Sequence, residues 1–239
     1  MRRCAFVLTA LFILICLSCA AGGGLESVPT SPPPEKGPAL SGSAALRPNY
    51  AVGGMSPQAA GTAFVVEDEA NRLYMLTAAH VMDDGEWGQV REVSLRVMGS
   101  DALAAKVKGR AAHIGTPFDV ANAGTDVVIW PLAANAKVTP LKLAADNPKR
   151  NEWAWVLGQE PGRSDAQKMY RCTVTGAETG GLILEQHDRF QMRGFSGGPV
   201  VNTQGEVIGS VLGGGDRKVL CCSVKSIRQR LKEADIKLP

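Results

Sequence analysis

The sequence has few histidines, and its charged side chains are not gathered into clusters. Three histidines occur among the 239 residues, and none has the His-Glu-x-x-His type of spacing that marks a helical metal site. Lys and Arg number 26 against 23 Asp and Glu, and no basic stripe follows the chain that could bind a phosphate backbone. The composition therefore predicts no metal site, no cofactor and no nucleic-acid partner.

Long hydrophobic runs are also missing, except for one at the N-terminus. Met1 is followed by two arginines, and residues 4–17 form an apolar run without charge that leads into small residues. This layout is typical of a secretory signal peptide, and we assign it to residues 1–20, with cleavage after Ala20.

Cys19 gives this leader a second interpretation. Leu17, Ser18 and Cys19 resemble the end of a bacterial lipobox, in which the cysteine is lipidated and becomes the mature N-terminus. An uncleaved membrane anchor is a third interpretation, although the run is at the short limit for spanning a bilayer. The expected protein is exported, either as a periplasmic or cell-envelope lipoprotein or as a secreted protein.

Residues 21–48 are rich in Gly, Pro, Ser and Ala. Such a segment cannot bury enough apolar surface to offset its ordering entropy, and its prolines favour extended backbone. The prediction is a disordered linker, either a tether that holds a domain away from a membrane or a leader without a role. The folded domain is assigned to residues 49–239.

The folded region consists of short apolar segments separated by turn signals such as consecutive glycines. One helical pattern occurs near the C-terminus, at residues 224–235, where apolar residues recur at helical spacing. Many short strands with few helical periods indicate an all-β barrel or sandwich. Strands are predicted at 62–66, 73–77, 93–98, 104–111, 126–131, 153–157, 169–175, 182–185, 198–202, 206–212 and 218–224.

Three segments carry residues suited to acyl transfer. Ser196 lies in a Gly-rich loop, His80 follows small residues, and Asp126 begins an apolar strand. A serine hydroxyl becomes a good nucleophile only when a base such as histidine takes its proton, and a carboxylate must orient that histidine. A Gly-rich loop allows backbone N–H groups to converge on a developing oxyanion.

Two of these segments resemble known motifs. Residues 76–80 (LTAAH) and 194–199 (GFSGGP) are similar to the His and Ser boxes of trypsin-like serine proteases, and the order His, Asp, Ser agrees. The resemblance covers about residues 61–231 and implies two six-stranded antiparallel β-barrels with a C-terminal α-helix. It also implies a catalytic triad of His80, Asp126 and Ser196, with the N–H groups of Gly194 and Ser196 as the oxyanion hole.

Phe195 departs from the pattern of the digestive and clotting members. Those proteins carry Asp at this position, and the Asp pairs with a newly cut N-terminus on activation. That ion pair cannot form here, so we expect no activation by that route. The sequence is more similar to the bacterial, HtrA-like members, but we expect no PDZ domain, and the expected protein is a monomer.

The sequence offers two alternatives, one for the acid of the triad and one for the fold. Asp119 lies close to Asp126 and could orient the histidine instead, but the longer apolar run after Asp126 favours Asp126. Residues 194–198 also fit the Gly-x-Ser-x-Gly pattern of α/β-hydrolases, which requires a histidine after the serine. No histidine follows Ser196, so that fold is excluded.

The remaining predictions concern cysteines and specificity. Cys172 with Cys221 or Cys222 would form the one plausible disulfide of the domain, with a reduced buried cluster as the alternative. From the resemblance, Phe190, Ser210 and Gly213 would line the substrate pocket. Because no acidic residue is found at its base, a small or medium apolar P1 residue is expected.

The sequence therefore predicts a serine endopeptidase that hydrolyses polypeptides through an acyl-enzyme. The alternative is a catalytically inactive protease fold that binds peptides or proteins.

Overall fold

The computed structural model describes residues 34, 36–82, 85–118, 122–178 and 180–239. The predicted signal peptide, Cys19, residues 21–33 of the predicted linker and the alternative acid Asp119 lie outside the described residues. No helix within these ranges has the length and apolar character needed to cross a bilayer.

Within the described residues, the N-terminal half contains eight strands in two four-stranded antiparallel sheets. The first sheet has the order β2-β1-β5-β6 and the second β3-β4-β8-β7, and isolated bridges from Leu46 to Ala63 and from Val107 to Leu132 connect them. A shared core lies between the sheets and includes Tyr50, which is in edge contact with Trp87. The strands are β1 Leu46–Val52, β2 Gln58–Ala59, β3 Phe64–Glu67, β4 Leu73–Thr77, β5 Val90–Val97, β6 Leu103–Lys106, β7 His113–Ile114 and β8 Val128–Pro131.

The C-terminal half is a closed six-stranded antiparallel barrel. Its strands follow the order β10-β11-β14-β13-β12-β9 around the barrel. All six residues of the first strand are buried, which agrees with its almost entirely apolar sequence. The strands are β9 Trp153–Gly158, β10 Lys168–Glu178, β11 Gly181–Gln186, β12 Pro199–Val201, β13 Val207–Gly215 and β14 Lys218–Ser223.

One α-helix, α1 Val224–Glu233, follows the barrel directly. The hydroxyl of Ser223 accepts a hydrogen bond from the N–H of Ser226 and caps the helix N-terminus. Val224, Ile227 and Leu231 are buried, so the helix packs its apolar face against β13 and β14.

These elements confirm the predicted all-β double-barrel class with a C-terminal helix. The strand at 73–77 agrees at both ends, and the helix ends two residues before its predicted end. Strands β1, β2 and β7 were not predicted. β1 begins at Leu46, inside the range assigned to the linker, and Leu46 is fully buried. Composition averaged over residues 21–48 concealed this short alternation of buried and half-buried side chains.

The predicted disulfide between Cys172 and Cys221 or Cys222 is not formed. All three cysteines are free and buried. Cys172 lies on β10, whereas Cys221 and Cys222 lie on β14, and β11 separates these strands. With neighbouring strands about 4.8 Å apart, the Cα atoms are separated by roughly 8–10 Å or more, which exceeds the span of a disulfide. Burial also raises the pKa of Cys222 to about 12.

Candidate active site

Asp126 is held in a closed cradle of hydrogen-bond donors. Its side chain is fully buried, and Oδ1 accepts bonds from the backbone N–H groups of Ala79 and His80, at 2.5 and 3.0 Å. Oδ2 accepts the N–H of Phe118 at 3.0 Å and lies 2.6 Å from Nδ1 of His80. Because a carboxylate can only accept hydrogen bonds, Nδ1 must carry a proton and donate a hydrogen bond to Oδ2 of Asp126. The other ring nitrogen, Nε2, is then free to take a proton.

Sheet register explains why these residues meet. β4 ends at Thr77, which pairs with Val128 of β8. The chain therefore leaves β4 toward His80 at the level where Asp126 precedes β8. A short 3₁₀ turn, Ala79–Val81, carries the histidine, and Trp87 Nε1 donates to the carbonyl of Ala79 at 2.8 Å. The imidazole side chain remains 27% exposed and is therefore accessible to a substrate.

The Ser196 loop lies against the residues that lead to His80. The N–H of Thr62 donates to the carbonyl of Ser196 at 2.8 Å. Gly197 has φ +84°, and a Cβ added there would lie 2.3 Å from Thr77 Oγ1 and 2.6 Å from the nitrogen of Ala78. Such close approach to another backbone is available only to glycine. The Gly-rich box therefore brings Ser196 and His80 to the same place between the two halves.

The Ser196 hydroxyl donates to the carbonyl of Leu212 at 3.4 Å, a long hydrogen bond. Among the described residues it has no bond to His80. Catalytic hydrogen bonds are often long or poorly aligned without substrate and tighten when substrate binds. Rotation about the Cα–Cβ bond of Ser196 would redirect Oγ without any movement of the loop.

Two backbone donors of the loop are available for an anion. The N–H groups of Phe195, Gly197 and Gly198 are bonded to the carbonyls of Met192, Val211 and Phe195, respectively. No residue that the structure describes accepts the N–H of Gly194 or of Ser196. Gly194 has φ +87°, and its carbonyl accepts the hydroxyl of Thr62 at 2.7 Å. The arrangement can therefore stabilise an oxyanion with these two N–H groups.

Thr62, Thr77 and Phe118 are the residues at this site to which sequence reasoning gave no role. Thr62 binds both Gly194 and Ser196, and Thr77 Oγ1 donates to the carbonyl of Thr62 at 2.8 Å. Phe118 acts through its backbone, so no side-chain pattern could have identified it. The motif Gly-Thr at 61–62 was visible in the sequence but carried no signal for a partner 132 residues away.

The predicted pocket residues lie around the serine loop but differ in exposure. Phe190 stacks on Tyr170 with ring centroids 4.5 Å apart. Ser210 is buried and pairs with Pro199, and its Oγ has no hydrogen-bond partner among the described residues. Gly213 follows Leu212, and an added Cβ there would meet open space. Of the three, Gly213 is therefore the one with free space beside it.

A His–Asp pair and a Gly-rich serine loop between two antiparallel β halves are the features of trypsin-like peptidases. Residues 61–209 match the trypsin-like peptidase domain, and the chain belongs to this family. The resemblance stated from the His and Ser boxes is thereby confirmed. No curated protein sequence matches the chain.

Solved structures of bacterial proteases share the fold. The active form of the Rv3671c protease from M. tuberculosis is 18% identical, with a TM-score of 0.56 over 83% of this chain and 84% of that one. The inactive form is 16% identical, with a TM-score of 0.54 over 81% and 89%. The serine endoprotease from Yersinia pestis is 15% identical, with a TM-score of 0.59 over 81% of this chain and 63% of that one. At these identities the likeness concerns the fold.

Proposed function

We propose that the protein is a serine endopeptidase that cleaves polypeptides through an acyl-enzyme. The observation that carries the proposal is the 2.6 Å contact between His80 Nδ1 and the buried Asp126, beside the Gly-rich loop of Ser196. A buried carboxylate that fixes the tautomer of a histidine next to a serine is the arrangement that serine-type acyl transfer requires.

In the proposed acylation step, Nε2 of His80 takes the proton of the Ser196 hydroxyl as Oγ attacks the scissile carbonyl carbon. The C=O electron pair moves to oxygen, and the N–H groups of Gly194 and Ser196 stabilise the oxyanion. When the tetrahedral intermediate collapses, the C–N bond breaks and the leaving amine takes the proton from His80. Ser196 is then esterified by the N-terminal part of the substrate.

In the proposed deacylation step, water takes the place of the amine. His80 removes a proton from the water, and the resulting hydroxide attacks the ester carbonyl. The second tetrahedral intermediate expels Oγ, which recovers its proton from His80. The product acid leaves and the enzyme returns to its starting state without any other reagent.

We further propose that the enzyme is exported, acts as a monomer, and prefers a small or medium apolar P1 residue. The P1 preference rests on Phe190 and on the absence of an acidic side chain from residues 189–193, just before the serine box. Export rests on the leader sequence, with Cys19 as the residue for attachment of a lipid. Mass spectrometry of the mature N-terminus distinguishes cleavage after Ala20 from a lipidated Cys19, and peptide-library profiling tests the P1 preference.

The proposed chemistry is tested by labelling with a fluorophosphonate probe, which reacts with activated serines. The wild-type protein should be labelled, and Ser196→Ala and His80→Ala should not be. His187→Gln is the matched histidine control, because His187 binds the Thr173 hydroxyl in the C-terminal barrel, outside this site. Full labelling of this variant is expected. A folded wild-type protein that the probe does not label would refute the proposal and favour an inactive peptide-binding fold.

A further inference from the structure

Phe195, the residue before the serine, is buried in a cluster of three aromatic rings. Its side chain is fully inaccessible to solvent. Its ring centroid lies 4.9 Å from that of Phe190 and 5.6 Å from that of Tyr170, which it meets edge-on. Phe190 and Tyr170 also stack on each other. Such pairs favour particular ring orientations in addition to burying apolar area, so the cluster fixes the direction of the Phe195 side chain.

The wall of the barrel is shaped to receive this ring. Gly158 ends β9, and a Cβ added there would lie 2.5 Å from Cδ1 of Phe195. The φ of Gly158 is not in the left-handed region, so the close approach of the ring, and not backbone strain, explains the glycine. Tyr170, on β10, lies on the neighbouring strand, where it pairs with Val156. Through Gly158 and Tyr170, the Phe195 ring therefore packs against strands β9 and β10 of the barrel. Phe190 lies in the same connection between β11 and β12 as Phe195 itself.

The anchor lies between the two donors of the oxyanion site. Phe195 is bonded on one side to Gly194 and on the other to Ser196, whose N–H groups are the available donors. Its own N–H donates to the carbonyl of Met192 at 3.1 Å, and its carbonyl accepts the N–H of Gly198 at 2.7 Å. Displacement of Phe195 from the cluster would therefore shift the Phe195–Ser196 peptide, which carries the Ser196 N–H, and also the Gly194–Phe195 peptide, which adjoins the Gly194 donor.

We propose that Phe195 is a positioning residue, and that its aromatic cluster with Phe190 and Tyr170 holds the oxyanion-site loop in its working conformation without proteolytic activation. The contacts that serve this purpose are apolar, and all of them are made by residues of the uncut chain. The inference rests on the proposed serine peptidase function and concerns how the same site is kept assembled.

The test compares Phe195→Leu with Phe64→Leu in the full chain. Phe64 is a matched control because it is also fully buried but lies on β3, in the N-terminal half. Both changes remove the same atoms and should lower the melting temperature. Loss of one oxyanion donor typically costs about 10²–10³ in kcat, so partial misalignment of two should lower kcat at least about tenfold in Phe195→Leu. KM should change less than about threefold, and Phe64→Leu should keep kcat within about twofold.

Tyr170→Leu provides a second variant that leaves the loop sequence intact, and it decides the question if Phe195→Leu does not fold. It should lower kcat and the rate of fluorophosphonate labelling in the same direction. The wild-type chain should also label without any cut beyond removal of the leader at residues 1–20, as verified by intact mass.

Two results would overturn the anchor while leaving the peptidase intact. One is a loss of kcat in Phe195→Leu, or in Tyr170→Leu where the former is unfolded, no larger than in Phe64→Leu. The other is labelling of the wild-type chain only after a cut downstream of the leader at residues 1–20. A wild-type chain that is never labelled refutes the proposed function itself, and is thus distinguished from a failure of the anchor alone.

Discussion

Replacing Asp126 by asparagine tests the orienting role of this carboxylate most directly. The side chain keeps its size but exchanges one acceptor oxygen for an NH₂ group, while four donors point at the site. If the NH₂ group takes the place of Oδ1, the backbone N–H groups of Ala79 and His80 lose their acceptor. If it takes the place of Oδ2, the N–H of Phe118 is the one backbone donor that loses its acceptor. The second orientation therefore has the lower free energy.

That orientation changes the tautomer of His80. An NH₂ group facing Nδ1 is a donor, so Nδ1 must accept and the proton moves to Nε2. His80 can then no longer take the proton of Ser196. In Ser-His-Asp triads this change lowers kcat about 10⁴-fold, which corresponds to about 5.4 kcal/mol of barrier. The lost hydrogen bonds should also lower the free energy of unfolding by about 2–4 kcal/mol.

The assay measures kcat on a peptide substrate together with thermal unfolding. Asp68→Asn is the matched control, because Asp68 is also buried and accepts four donors, two backbone N–H groups and the side chains of Arg72 and Tyr74. It should lose stability while kcat stays within about twofold. A folded Asp126→Asn protein with kcat within about tenfold of wild type would refute this reasoning, and the acid Asp119 would become the candidate.

Three further experiments test the serine loop and the C-terminal barrel. Gly197→Ala places a Cβ 2.3 Å from Thr77 Oγ1, so it should abolish labelling by the fluorophosphonate probe or prevent folding, and a fully active variant would contradict the close packing. Asp188 is held by a hydrogen bond and charge from Arg171, which lower its pKa below the ordinary 3.8. This carboxylate therefore adds stability above that pH and loses it as the pH falls through the lowered value. Asp188→Asn should reduce the melting temperature at pH 7, and the difference from wild type should shrink as the pH falls below 3.8. Burial raises the pKa of the barrel thiols, so iodoacetamide at pH 8 should alkylate them only after unfolding, and rapid reaction of the folded protein, seen by peptide mapping, would contradict this for Cys172, Cys221 and Cys222.

Local sequence predicted the elements whose signal is complete within a few residues. The strand Leu73–Thr77 is an uninterrupted apolar run, and α1 repeats its buried residues at helical spacing. Strand β1 alternates buried and half-buried residues, but it contains Arg, Pro and Asn. No strand was predicted there, and its first three residues lie in the range assigned to the linker. Its backbone is ordered by pairing with β5, whose residues lie 38 to 51 positions further along the chain, and no local propensity encodes that pairing.

The family could be predicted without a structure, because the His and Ser boxes consist of particular residue types at fixed spacing. Short motifs of this kind can be recognised before the fold is known. Between Asp119 and Asp126, the sequence offered only the longer apolar run after Asp126 as a reason for the choice. The pairing of Thr77 with Val128 brings Asp126 beside His80, and this is a property of the sheet.

Two further features depend on tertiary structure: the three cysteines of the domain are free thiols, and Phe195 is packed in an aromatic cluster. A cysteine count cannot tell that β11 lies between the strands that carry the thiols. From the sequence, Phe195 indicated only that the Asp found at this position in other members is absent. One aromatic partner is Phe190, five residues earlier in the same connection. The other is Tyr170 on β10, 25 residues earlier, which meets the Phe195 ring only in the folded barrel. Contacts between residues distant in sequence depend on strand order and register, which are set by the packing of the whole core.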